Sequence, residues 1–173
     1  MNLKEYIANI PGFPKEPVIF RDVTPILENA EVFQYVTDKF SEFAKEIEAD
    51  VIVGPEARGF IFGTPVSLAC KIGFVPVRKP GKLPRKTVEV EYSLEYGTDK
   101  LCIHEDSIQP GQKVLIIDDL LATGGSANAA KQLVEKLGGI VVGAAFVVEL
   151  DDLQGKKVLG DIKVCSLTHY EGE

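Results

Sequence analysis

The chain has 173 residues, 45% of them hydrophobic and 26% charged, which fits a globular protein with a single domain, residues 1–173. Its formal net charge of −7 argues against nonspecific binding to nucleic acid or to an anionic membrane. No apolar run approaches the ~20 residues of a membrane span, and the acidic, proline-containing start lacks the order of a signal peptide. We therefore expect a cytoplasmic protein without membrane or nucleic-acid partners.

The first half of the chain predicts two helices and a strand after an irregular start. Residues 1–30 are proline-containing and apolar enough to pack over another part of the protein. Apolar residues at helical spacing predict a helix over about 30–48, with Asn29 as its N-cap. A short buried strand, "VIV", then leads into a glycine-bearing turn. A second helix, about 60–72, is expected to end at Gly73.

The second half alternates aliphatic strands with one more helix. The expected strands are "FVPVRKP", "VLIIDD", "IVVGAAFVVEL" and "IKVCSL". The segment "SANAAKQLVEKLGG" predicts a helix with Leu133, Val134 and Leu137 facing inward. Continuous aliphatic strands that alternate with helices indicate a mainly parallel sheet covered on both faces, and hence a doubly wound α/β fold. Ligands of such sheets bind beyond the carboxyl ends of the strands, where "GPEARG" and "DDLLATGGS" both fall.

Residues 79–112 interrupt this alternation. They contain no clear helical pattern, and "KTVEVEYSLEY" alternates as a strand or a hairpin arm does. A long segment between two core strands of a compact domain is either disordered or a functional lid. The segment overlaps the basic run "RKPGKLPRK" at 78–86, which by itself is explained by a solvated loop as well as by an anion site.

Cysteine and histidine are too sparse for several kinds of site. Cys70, Cys102 and Cys165 lie far apart, and the histidines are His104 and His169. A zinc site, a disulfide framework and Cys–His nucleophilic catalysis are therefore disfavoured. The cysteines are expected to be reduced packing residues.

The stretch "VLIIDDLLATGGS", residues 114–126, combines an acid pair with a phosphate cradle. Its glycines allow a ligand to approach the backbone, its hydroxyls are donors, and the free amides of the following helical turn attract an anion. The two aspartates have the right separation to bind ribose hydroxyls while a 5′-phosphate binds the loop. An ordinary strand–turn–helix joint is the alternative, against which two consecutive aspartates argue. The ribose-phosphate candidates are Asp118, Asp119, Ala122, Thr123, Gly124, Gly125 and Ser126.

This stretch closely resembles the phosphoribosyl pyrophosphate motif of the type I phosphoribosyltransferases. The segments "FPKEPVIFRDVTPIL", "VGPEARGFIFG", "VPVRKPGKLP" and "YSLEYGTDKL" resemble the adenine phosphoribosyltransferases in the same order and at similar spacing. Ser126 stands where that family would have threonine, and it keeps the hydroxyl. The resemblance implies the type I phosphoribosyltransferase fold, with an amino-terminal hood at about 1–30 and a mobile catalytic loop within about 79–112.

The resemblance also implies a reaction, in which phosphoribosyl pyrophosphate and adenine give AMP and pyrophosphate in purine salvage. Mg²⁺ would be bound through the cosubstrate and not directly by the protein. Arg58 is expected to act in catalysis, because a fixed cation stabilises the leaving pyrophosphate. The pyrophosphate-binding candidates are Arg58, Arg78, Lys79 and Lys82. A homodimer and a cis peptide between Glu56 and Ala57 are further implications.

Adenine recognition in the family implies roles for three residues. Phe20 would stack on the base, Arg21 would present its backbone N–H and C=O, and Leu120 would close the other face. Glu95 and Tyr96 match the catalytic loop, and Glu95 would contact the base and exchange a proton with a purine ring nitrogen. A core-packed Phe20 and a solvated Glu95 are the alternatives.

Two other functions stay open at the level of the sequence. A phosphoribosyltransferase for a 6-oxopurine, xanthine or guanine, would differ in only a few base contacts. Glu95 and the amino-terminal hood favour adenine instead. A nucleic-acid-binding regulator on the same fold would need an added basic element and would lack the catalytic residues. The acidic composition and the presence of Glu95 and Arg58 disfavour that regulator.

Overall fold

A computed structural model describes residues 1–94 and 97–172. The strands are β1 (Ala8–Pro11), β2 (Ile19–Asp22), β3 (Val51–Pro55), β4 (Gly73–Val77), β5 (Thr87–Leu94), β6 (Gly97–His104), β7 (Lys113–Leu121), β8 (Ile140–Leu150) and β9 (Lys163–Tyr170). The α-helices are α1 (Thr24–Leu27), α2 (Ala30–Glu46), α3 (Arg58–Cys70), α4 (Gly125–Lys136) and α5 (Gly155–Leu159). Short 3-10 helices lie at Leu3–Tyr6 and Asp151–Leu153.

Five parallel strands form the central sheet in the order β4-β3-β7-β8-β9. The middle position of β7 explains its aliphatic run. Leu115 and Ile117 pack towards α2 and α3, whereas Val114 and Ile116 pack towards α4, and all four side chains are fully buried. The doubly wound α/β fold predicted from the sequence is confirmed.

The helix predictions are confirmed except at one end. Asn29 is the N-cap of α2, since its Oδ1 accepts hydrogen bonds from the backbone N–H groups of Glu31 and Val32. The prediction for Gly73 is wrong. Helix α3 ends at Cys70, Lys71 adopts a left-handed φ of 57°, and Gly73 is the first residue of β4. The connection between α3 and β4 is therefore the two residues Lys71 and Ile72.

Residues 79–112 contain an antiparallel hairpin of β5 and β6, in agreement with the predicted strand arm. The hairpin packs on α4 and against the second face of the sheet, where Val90, Leu101 and Ile103 are buried. An additional bridge joins Arg78 to Cys102. The base of the segment is thus anchored to the domain through apolar burial.

The amino-terminal segment packs over the opposite face. Strands β1 and β2 form a small antiparallel hairpin, and Leu3, Ile7, Val23 and Ile26 are buried in the same cluster as α2 and α3. This burial accounts for the apolar character noted in the sequence. Among the described residues, no helix is long and apolar enough to cross a membrane.

Candidate active site

The carboxyl ends of β3 and β7 meet at one edge of the sheet and open into a cleft of about 330 Å³. Residues from the turn after β3, from β5, and from the loop between β7 and α4 line it. The sequence-predicted residues that line this cleft are Arg58, Lys79, Asp118, Asp119, Leu120, Ala122, Thr123, Gly124, Gly125 and Ser126. The structure therefore brings together the whole ribose-phosphate set and part of the pyrophosphate set.

The phosphate loop, residues 122–126, joins β7 to α4. Gly124 caps the helix with a left-handed φ of 89°, and its carbonyl accepts the first helical hydrogen bond from Asn128 at 2.8 Å. A side chain is disfavoured at Gly124 by its φ and by the space available, because a β-carbon would lie 2.8 Å from the Gly155 carbonyl oxygen. The first turn of α4 directs its amides towards the cleft, as an anion site requires.

A second glycine, Gly155, supports this loop from behind. A β-carbon there would lie 2.5 Å from the Ala122 carbonyl oxygen and 2.8 Å from Leu121 Cδ1. The backbone at the start of α5 thus packs directly on the phosphate loop. Sequence reasoning missed this contact, since the segment after β8 matches no recognisable pattern.

The acid pair lies inside a strand and not at its end, which corrects the prediction. Strand β7 continues through Asp118 and Asp119 to Leu121, pairing Asp118 with Phe146 of β8. Asp119 is 7% exposed, whereas Asp118 is half-buried and faces the cleft. Burial, together with the neighbouring charge of Asp119, raises the pKa of Asp118 well above its ordinary value.

Arg58 neutralises the buried member of the pair. Its Nε donates to Asp119 Oδ2 at 2.5 Å, and this carboxylate raises the pKa of the Arg58 guanidinium. The charge of Asp22, at the end of β2, acts in the same direction. Arg58 is a predicted pyrophosphate-binding residue, and its contact with Asp119 connects it to the predicted ribose-binding acids.

The peptide between Glu56 and Ala57 is cis, as the resemblance implied. The Glu56 side chain, which is 13% exposed, accepts hydrogen bonds from three donors of the basic run. They are Arg78 Nε at 3.2 Å, the Lys79 backbone N–H at 2.8 Å and Lys82 Nζ at 2.7 Å. Partial burial opposes ionisation, but these hydrogen bonds and the charges of Lys82 and Arg78 bring the pKa of Glu56 below its ordinary value. Glu56 is a site residue that sequence reasoning missed.

Lys79 also links the cleft to the β5–β6 hairpin. Its Nζ forms an ion pair with Asp99 Oδ2 at 3.0 Å. The hydrogen bond from Lys79 lowers the pKa of Asp99, and the bond to Asp99 raises the pKa of Lys79. Tyr92, on the facing strand, lines the cleft. Sequence reasoning also missed Asp99 and Tyr92, because their position beside the cleft depends on the pairing register of the β5–β6 hairpin.

The predicted adenine-binding residues are only partly brought together. Leu120 lines the cleft, whereas Phe20 and Arg21 lie on β2 and are not among its described lining residues. The Phe20 ring packs edge-to-face on Phe13 with centroids 5.2 Å apart. The pyrophosphate candidates Arg78 and Lys82 likewise bind Glu56 beside the cleft without lining it. The predictions for Glu95 and Tyr96 lie outside the described residues.

A possible metal-ligand group lies at the ends of β8 and β9. Oxygen and nitrogen atoms of Glu149, Asp151 and His169 lie within 4.8 Å of one another. Ser166 Oγ donates to Glu149 at 2.6 Å and Lys156 Nζ lies 3.6 Å from the same oxygen. Glu149 therefore has a hydrogen-bond donor and a cation as partners within the protein. The cysteines are free thiols, with Cys102 buried.

The comparisons with known proteins agree with one another on the family. Residues 22–170 match the family model of the phosphoribosyl transferase domain. An adenine phosphoribosyltransferase from Thermoanaerobacter pseudethanolicus is 48% identical with a TM-score of 0.94, over 97% of this chain and 98% of that one. The enzyme from Saccharomyces cerevisiae, complexed with adenine and an imino-altritol bisphosphate, is 43% identical with a TM-score of 0.91, over 95% and 96%. An enzyme from Giardia lamblia complexed with 9-deazaadenine is 30% identical with a TM-score of 0.90, over 98% and 97%.

Proposed function

The chain belongs to the phosphoribosyltransferase family, among the adenine phosphoribosyltransferases, and we propose that it transfers the 5-phosphoribosyl group of phosphoribosyl pyrophosphate to adenine. The products are AMP and pyrophosphate, which places the protein in purine salvage. The observation that supports this function best is the cleft itself. There the acid pair of β7, the phosphate loop and Arg58 lie together at the carboxyl edge of the sheet.

The sugar phosphate is bound by the β7 half of the cleft. The 5′-phosphate accepts hydrogen bonds from the loop amides and from the hydroxyls of Thr123 and Ser126, with the helix dipole of α4 favouring its charge. Asp118 and Asp119 accept hydrogen bonds from the two ribose hydroxyls. Because Asp118 is half-buried beside a second carboxylate, hydroxyl donors offset an unfavourable charge there.

The pyrophosphate is bound by the β3–β4 half. A purine nitrogen attacks C1 of the ribose, the bond from C1 to the pyrophosphate oxygen breaks, and the electron pair leaves with the pyrophosphate. Arg58, Arg78, Lys79 and Lys82 stabilise the negative charge that develops on that leaving group. Their present carboxylate partners hold them within one small region, so little reorganisation is needed to meet the ligand.

Adenine binds between β2 and Leu120. Phe20 stacks on one face of the base, Leu120 covers the other, and the backbone of Arg21 offers a donor and an acceptor to the base edge. Glu95 takes the proton that the attacking purine nitrogen releases, and Tyr96 accompanies it on the same loop. The charge of Asp22, at the end of β2, raises the pKa of Arg58, and this interaction supports the arrangement.

Mg²⁺ fits the chemistry of this cleft. Among the described residues Asp118 makes no ion pair, which leaves a carboxyl group on the cleft side of β7 near the cosubstrate. The ribose and pyrophosphate oxygens of the cosubstrate would be the ligands, since Mg²⁺ prefers oxygen ligands. When bound, the ion neutralises charge on the departing pyrophosphate.

The assembly and location follow from the family resemblance. The protein acts as a homodimer, in which cations of the basic run reach the neighbouring subunit's site. It acts in the cytoplasm. Free thiols at all three cysteines are compatible with a reducing compartment.

A substrate panel tests the function. The protein is incubated with phosphoribosyl pyrophosphate, Mg²⁺ and one base at a time, namely adenine, guanine, hypoxanthine, xanthine or uracil, and pyrophosphate release is followed. Adenine is expected to support release far better than the other bases. Absence of release with adenine would sink the proposal, and preferential release with guanine or xanthine would reassign the protein to the 6-oxopurine enzymes.

A further inference from the structure

Tyr170 occupies an unusual position, since it belongs to the far edge of the sheet yet contacts the amino-terminal segment. It is the last residue of β9 and pairs with Leu150 of β8. Its ring is 9% exposed and packs in the same cluster as Leu3 and Ile7. The end of the sheet and the amino-terminal segment are thus joined through one aromatic side chain.

Two cations of the amino-terminal segment lie over this ring. The guanidinium carbon of Arg21 is 4.0 Å from the ring centroid, and Lys4 Nζ is 4.6 Å from it. Both distances are well within the range of cation–π attraction. Arg21 Nη1 also donates a hydrogen bond to Asn9 Oδ1 at 2.7 Å, within the β1–β2 hairpin. Among the described residues, Tyr170 is therefore the contact that ties the Arg21 side chain to the central sheet.

From this geometry we infer that Tyr170 is a positioning residue for purine specificity: it holds β2 in place through Arg21, so that the Arg21 backbone meets the edge of adenine. The inference rests on the proposed function, in which the backbone of Arg21 recognises the base. A backbone donor and acceptor distinguish adenine from a 6-oxopurine only when their position is fixed, because a shift of the strand by a fraction of an ångström weakens both hydrogen bonds.

The ring, and not the hydroxyl, performs this role. Among the described residues Tyr170 Oη has no hydrogen-bond partner, so the phenol contributes its aromatic face and its apolar contacts. Tyr170→Phe keeps both and is expected to behave as the natural protein does. Tyr170→Leu keeps apolar volume and removes the face on which Arg21 stacks.

The first measurement is steady-state kinetics of the full-length protein. Tyr170→Leu is expected to raise KM for adenine about fivefold to tenfold and to reduce the preference for adenine over hypoxanthine, with KM for phosphoribosyl pyrophosphate changed less than twofold. Tyr35→Leu is the matched control, since Lys39 Nζ lies 5.7 Å from the Tyr35 ring on α2 and Tyr35 is not among the residues that line the cleft. It should leave both KM values unchanged.

A double-mutant cycle keeps the inference testable if Tyr170→Leu folds poorly. Arg21→Met keeps the backbone groups proposed to recognise adenine and removes the cation. The double variant should have the same KM for adenine as Arg21→Met alone, because the two substitutions remove the same contact between Arg21 and Tyr170. The inference would be overturned if the fold-increases in KM for adenine of the two single variants multiplied in the double variant. An equal rise of KM for both substrates would overturn it as well.

Amide exchange provides a measurement independent of turnover. Loss of the stacking contact should speed exchange at the backbone amides of β2 in Tyr170→Leu but not in Tyr170→Phe. Equal exchange in the two variants would refute the positioning role, whatever the substrate panel shows. An inactive natural protein with adenine would instead refute the proposed function and leave the exchange result to decide the role of Tyr170.

Discussion

Gly155→Ala is expected to impair binding of the sugar phosphate, although residue 155 is not among the residues proposed to contact that ligand. A β-carbon at residue 155 would lie 2.5 Å from the Ala122 carbonyl oxygen, and ordinary contacts begin near 3.4 Å, so the two backbones must separate by about 0.9 Å. Overpacking of this kind typically costs about 1–3 kcal/mol of folding free energy. A displacement on the order of 1 Å at a reacting site reduces rate by up to about a hundredfold.

The assay compares Gly155→Ala with Gly73→Ala. The control also adds one methyl group, but its nearest neighbour would be Val51 Cγ2 at 3.9 Å, an ordinary contact. We expect Gly155→Ala to raise KM for phosphoribosyl pyrophosphate about tenfold or more, with a smaller change in KM for adenine, and urea denaturation to show the loss of stability. If both variants bind the cosubstrate alike, the close packing of α5 on the phosphate loop has no functional role.

Four further variants probe the two halves of the cleft. Asp119→Ala should damage sugar binding far more than Ser126→Thr damages phosphate binding, measured as KM for phosphoribosyl pyrophosphate; equal losses would mean that the two parts of the motif are misassigned. Glu56→Gln should lower the free energy of unfolding by about 0.5–1 kcal/mol at pH 7, because the ion pairs are partly exposed. The pKa of Glu56 is lowered in the folded state, so the difference in free energy of unfolding between the two proteins should vanish as the pH falls through that pKa. Urea denaturation at several pH values measures it, and a pH-independent difference would contradict the ion-pair role of Glu56. Asp118→Asn should have the opposite effect. The pKa of Asp118 is raised in the folded state, so the natural protein loses stability as the pH rises through that pKa. Above it, the free energy of unfolding of the variant should exceed that of the natural protein by about 1.4 kcal/mol for each unit between the folded and unfolded pKa values. A variant less stable than the natural protein at pH 8 would refute that reasoning.

Local patterns account for what could be predicted from the sequence. The aliphatic run 114–117 indicated a central strand because both faces of that strand are buried, and "ATGGS" indicated a glycine-bearing turn into a helix because its backbone conformation and helix start are local properties. The type and order of most elements followed in the same way. Helix α3 ended early for a reason that a pattern does not express, since Lys71 tolerates the left-handed conformation for which glycine was expected.

The missed residues share a dependence on distant parts of the chain. Glu56 meets Lys82 through the pairing of β3 with β4, and Asp99 meets Lys79 through the register of the β5–β6 hairpin. Gly155 acquires its role only when α5 packs on a loop about thirty residues earlier in the chain. Such contacts depend on tertiary packing, so the spacing of residue types along the chain does not contain them.

The ion pairs around the cleft have a consequence for how the enzyme meets a highly charged ligand. Arg58, Arg78, Lys79 and Lys82 are each already bound to a carboxylate of the protein. At the proposed pyrophosphate site, arrival of the ligand would therefore exchange one anion for another and release the protein's own carboxylates, in contrast to capture of an anion by unpaired positive charge. Screening by salt weakens the outgoing and the incoming pairs together. Affinity for the cosubstrate should consequently depend on ionic strength much less than four exposed cations would suggest.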